Sequence, residues 1–164
     1  MNQNKVIDLP DPQSFPELFD GLLTRRLFAY MIDLFMLMFI TSAMMIAAFV
    51  SGTISFGLPI PAVIFAIPAS IIGYYAITLG SKRRATIGMG MMDIVLTPVR
   101  GQPLNGRRAF FHPMVFWLTF WILSPFSVAV ALFTPRRQLL HDLIMGVLMV
   151  RRSPMDRHWS GQAI

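Results

Sequence analysis

Three ionisable residues stand where an apolar chain has least reason to keep them. Arg26 and Asp33 bracket the start of LFAYMIDLFMLMFITSAMMIAAFV, and Asp142 sits among leucines in RRQLLHDLIMG. Arg26 and Asp33 are seven residues apart, nearly two helical turns, so both point to one side of a helix at about 10 Å along its axis. An ionised carboxylate facing hydrocarbon costs roughly 3 kcal/mol even on a lenient insertion scale. Asp33 must therefore face protein or water, be protonated, or pair with a cation. Carboxylates in such places bind cations or exchange protons, because desolvation raises their pKa. A guanidinium nearby competes with the cation. Asp142 can find a partner locally in Arg136 or Arg137, or by folding back onto Arg26. The same three residues could also serve as a polar clasp that fixes helix register.

Other chemistry has less support. His141 beside Asp142 invites a metal, but no second His or Cys is spaced to complete a shell, and adjacent helical residues point about 100° apart. His141 therefore counts only as a supporting residue; neither a metal nor a cofactor is expected. Cysteine is absent, which excludes disulfides and thiolate sites. There is no serine elbow, no HExxH and no phosphate-cradling loop, so an enzyme is not expected. IGMG is too short for a phosphate loop, and its glycines suit a turn near the membrane surface. Trp117 and Trp121, one turn apart, suit interfacial anchoring or packing.

The elements that must position these residues are apolar. The chain has 164 residues, 55% hydrophobic and 13% charged, with mean hydropathy +0.60. A soluble domain carries about a quarter charged residues. Three stretches, about 27–50, 58–79 and 112–133, reach the roughly 20 residues that cross hydrocarbon. The expected fold is an all-α integral membrane protein with two firm transmembrane helices and a third, broken at Ser124-Pro125, that is kinked or re-entrant. Ala43 and Ala47 mark a close-packing row on the first helix. Pro68 lies inside the second. Between the second and third stretches, MMDIVLT suits a short strand and VRGQP a turn, and VLMV has the length to pair with that strand as a small cytoplasmic β-hairpin-like element. Residues 1–20, with Pro10, Pro12 and Pro16, read as a flexible cytoplasmic lead without a cleavable signal. Residues 21–152 form the membrane domain and 153–164 a tail.

The 14 basic residues leave the connection between the first two stretches bare. If the third stretch crosses, they divide between both sides of the membrane. If it enters and turns back, all share the cytoplasmic side, as the positive-inside rule prefers. A re-entrant backbone needs shielding by protein, which favours a homo-oligomer. The net charge of +6 fits anionic lipid headgroups better than nucleic acid, since no soluble reading domain accompanies it.

RRLFAYMID, RATIGMGMMDIVL and RRQLLHDLIMGVLMV, in that order, resemble the three characteristic blocks of RDD family membrane proteins, over about residues 20–152. The resemblance identifies Arg26, Asp33 and Asp142 as the arginine and two aspartates for which the family is named. It departs at Val147, where members usually carry a threonine. It implies a bacterial inner-membrane, multi-pass protein with a cytoplasmic N-terminus. It also implies transport of a small ion, with sodium/proton exchange linked to some members. The competing expectation is a non-transporting accessory or scaffold protein, with the Arg/Asp/Asp set used only for helix packing.

Overall fold

No proline interrupts residues 22–54, and the computed structural model of the chain shows one continuous helix there, α1 (Leu22–Ile54). The structure describes residues 11–54, 60–98, 106–123 and 126–159. At 33 residues, α1 is about 50 Å long, more than the hydrocarbon core requires. Its buried row is Leu22, Arg26, Ala29, Asp33 and Leu37, spaced three and four apart along one face. The two charged residues thus share the packed face. Phe35, Phe39, Ile46 and Phe49 on the other faces are exposed. So are Ala43 and Ala47, which therefore form no packing row among the described residues.

The second helix, α2 (Ile60–Gly80), carries Pro68 inside it and packs on both α1 and the third apolar helix, α4 (Gly106–Leu123). Between them lie a short helix, α3 (Ile87–Met91), packed on α1, and a strand, β1 (Ile94–Pro98). After α4 come α5 (Phe126–Phe133), α6 (Leu140–Met145), β2 (Val147–Arg151) and α7 (Arg152–Trp159). The strand expected in MMDIVLT does pair with VLMV: β1 and β2 run antiparallel, from Ile94 opposite Arg151 to Pro98 opposite Val147. Gly146 gives α6 its left-handed cap at φ 62°, a conformation that would strain any residue with a Cβ, and turns the chain into β2.

The ladder organises the core. Leu22, Ile94, Leu96 and Val147 are buried on one side of it, and Leu18, Val95, Leu148 and Val150 on the other. The core therefore sits at one end of the long helices, whose apolar flanks stay bare. Surfaces such as Phe65, Ile77, Trp121 and Phe133, each at least 74% exposed, suit hydrocarbon and not water.

Two expected boundaries are corrected. The lead was placed at residues 1–20, but Pro16–Leu18 forms a 3-10 turn whose Leu18 is fully buried beneath the ladder. The tail at 153–164 begins as the docked helix α7, with Met155 in the same cluster. In the middle of the chain, both ends of the third apolar segment are held together: β1 before it pairs with β2 after it, and α6 packs on α4. The segment therefore turns back. Ser124, Pro125 and the VRGQP turn lie outside the described residues.

Candidate functional site

The packed row of α1 delivers Arg26 to the start of α6. Asp142, one turn into that helix, is fixed by the backbone N–H of Leu139, which donates to its Oδ2 at 3.1 Å. Arg26 Nη2 lies 2.6 Å from the same oxygen. Oδ1 of Asp142 faces two imidazoles: His112 Nε2 of α4 at 3.1 Å and His141 Nε2 at 3.3 Å. All four side chains are buried, Asp142 completely. Chain folding thus brings Arg26 and Asp142 together from near opposite ends of the sequence, with His141 alongside.

Burial is the largest single influence and pushes the Asp142 carboxyl up, but the Arg26 guanidinium together with His141 and His112 outweighs it and holds the group well below the usual carboxylate range. Burial also pushes His141 down to about 4, against the pull of Asp142. With His141 neutral at pH 7, Arg26 is the charge that keeps Asp142 ionised.

Asp33 has a different set of partners. The Tyr74 hydroxyl donates to Oδ1 at 2.6 Å, the Gly88 N–H to the same oxygen at 2.8 Å, and the Thr86 hydroxyl to Oδ2 at 2.5 Å. Thr86 also caps α3 by accepting the Met89 N–H at 3.1 Å. Gly88 is essential to this approach: a Cβ there would run into the Ala29 carbonyl of α1. The IGMG stretch therefore builds a helix pressed on α1 instead of the expected turn. Arg25 points away from the site and donates to the Met92 carbonyl at 2.8 Å.

Arg26 and Asp33 line a common cavity of about 100 Å³, together with Tyr30, Tyr75, His112 and His141. Its size admits about three waters at about 30 Å³ each. Among the described residues, none of the three Arg26 guanidinium nitrogens makes an aligned hydrogen bond, and neither does His141 Nδ1. The contact with Asp142 is electrostatic and one-sided.

Four contributors escape a reading of the sequence. His112, Tyr74, Thr86 and Gly88 each lie far along the chain from the acid they serve. Only Thr86, a cap residue ahead of an apolar helix, carried a local signal. His112 also alters the metal question. Sequence spacing left His141 without a second histidine, whereas His112, His141 and Asp142 each offer a ligand atom within 4.8 Å of the others.

Comparison with known proteins is brief. No curated protein and no solved structure matches the chain. A sequence model of the RDD family matches residues 21–146, a span that holds Arg26, Asp33 and Asp142. With two helices long and apolar enough to cross a bilayer and a matched region covering most of its length, the chain is a small multi-pass membrane protein and belongs to the RDD family.

Proposed function

We propose that the protein moves a small ion across the bilayer, with Asp33 and Asp142 as cation or proton ligands and Arg26 as their counter-ion. The observation that carries this reading is the buried Arg26 guanidinium, which touches Asp142 without one aligned hydrogen bond. A clasp kept only for packing would satisfy those donors, since each buried unpaired polar group costs about 1–3 kcal/mol. A guanidinium with unsatisfied donors can gain partners by moving from Asp142 into the adjoining cavity. The freed carboxylate then takes a cation or a proton, and the return of Arg26 expels it. Exchange of sodium for protons is the form suggested by family resemblance.

Location follows from charge. The described basic residues gather at the end of the bundle that carries the ladder, and the positive-inside rule puts that end in the cytoplasm, with both termini. The family resemblance makes that membrane the inner membrane of a bacterial cell. A homo-oligomer would supply the shielding that so few helices lack.

One observation favours the second reading, a non-transporting accessory protein: Asp33 is already occupied by three donors. Asp33→Asn and Asp142→Asn separate the two. Ion flux in everted vesicles or liposomes is measured beside the amount of assembled protein. Transport predicts assembled variants whose flux falls at least tenfold. An accessory role predicts no flux in the parent protein.

A further inference from the structure

We propose that His112, His141 and Asp142 form a binding site for a divalent transition-metal ion such as Zn²⁺, ligated through the two Nε2 atoms and Asp142 Oδ1. The inference goes beyond the transport reading and does not depend on it. The residue types suit the ion, because imidazole nitrogen with a carboxylate selects zinc-like metals over hard alkali ions. The spacing suits it as well. Ligand atoms about 2.0–2.1 Å from a tetrahedral ion stand about 3.3 Å from each other, and Oδ1 lies 3.1 Å from His112 Nε2 and 3.3 Å from His141 Nε2. Each of the three residues offers a ligand atom within 4.8 Å of the others.

The carboxylate is divided in a way that metal sites use. Oδ1 faces the imidazoles, while Oδ2 is held by Arg26 and by the Leu139 N–H. An ion on Oδ1 therefore leaves the guanidinium in place, and Arg26 becomes the outer partner that orients the ligand. Three protein ligands leave a fourth position open. The cavity reaches both histidines and gives that position room for water or a substrate group. The balance of charge also favours a cation: among the described residues around the cavity, the carboxylates of Asp33 and Asp142 stand near the Arg26 guanidinium. Rings from two separate elements converge here, the His112 and His141 centroids being 4.9 Å apart.

Co²⁺ is the probe, added to chelator-treated full-length protein in detergent and followed by visible absorption, with Zn²⁺ as competitor. One ion per chain should bind, with a tetrahedral cobalt spectrum that Zn²⁺ erases. His112→Ala and His141→Ala should each weaken binding at least tenfold. His158→Ala, at a surface pair with Glu17 outside the cluster, should leave it unchanged. No uptake by the wild-type protein overturns the proposal; so does equal uptake by both cluster variants, or loss in His158→Ala. If a cluster variant aggregates, X-ray absorption of the Zn²⁺-loaded wild type decides. Two imidazoles in the ion's shell support the site, and fewer overturn it.

Discussion

His141 gives the site a titration signature at the scale of one side chain. Its pKa of about 4 lies below the ordinary 6.5, chiefly because burial disfavours the imidazolium. Between those values the unfolded chain binds a proton that the folded chain refuses. The stability tied to neutral His141 is therefore complete above about pH 6.5 and lost as the pH falls toward 4. Asp142, held below the carboxylate range, stays charged in the folded chain and adds slope of the same sign only at the acid end of that window, where the unfolded carboxyl begins to take up a proton. Thermal unfolding in detergent should show Tm falling below pH 6.5, with a shallower slope in His141→Gln; an unchanged slope would assign the effect elsewhere. At this scale the sequence was most readable where charge meets hydrocarbon. Arg26, Asp33 and Asp142 stood out because each demanded a partner. The neutral donors to Asp33 did not, since tyrosine, threonine and a backbone N–H are unremarkable in any apolar chain.

The short helix α3 holds the second half of the site at the scale of the element. It presses so closely on α1 that a Cβ on Gly88 would lie 2.9 Å from the Ala29 carbonyl carbon and 3.0 Å from Asp33 Cγ. Gly88→Ala must push α3 away and break the bonds from Thr86 and Gly88 to Asp33. The expected loss is roughly 2–4 kcal/mol, from overpacking plus charged hydrogen bonds. Gly90→Ala in the same helix meets nothing within 4 Å and should cost less than about 0.5 kcal/mol. Denaturant or thermal melts of the two variants test the contrast, and equal effects would mean that the close approach is not the cause. The strands were legible because MMDIVLT is rich in β-branched residues. The docking of Leu18 and α7 was not. Phe15, Leu18 and Phe19 lie in a stretch dense in prolines and acids, and the surface that buries Leu18 exists only once β1 and β2 have paired.

At the scale of the whole molecule, the paired ladder gathers segments far apart in the sequence. Arg25 reaches Met92, Asp93 accepts from the Ser153 N–H at 2.9 Å, and β1 pairs with β2, so the start of α1, the connection after α2 and the last segment share one end. Hydropathy could not reveal this, because a turning segment and a crossing one have the same apolar content. The charge count pointed to it. Since the chain has no cysteine, single cysteines report sidedness cleanly. Ser153→Cys should resist an impermeant thiol reagent in whole cells and react in everted vesicles, whereas Thr53→Cys, exposed at the far end of α1, should do the reverse. Labelling of both from outside would refute the shared end. The pairing of Arg26 with Asp142 also has a consequence for biogenesis. A ribosome delivers the guanidinium early and its counter-charge among the last residues, so throughout insertion the first helix carries an uncompensated positive charge. Any chain released before Asp142 would lack the partner that the folded protein gives this guanidinium.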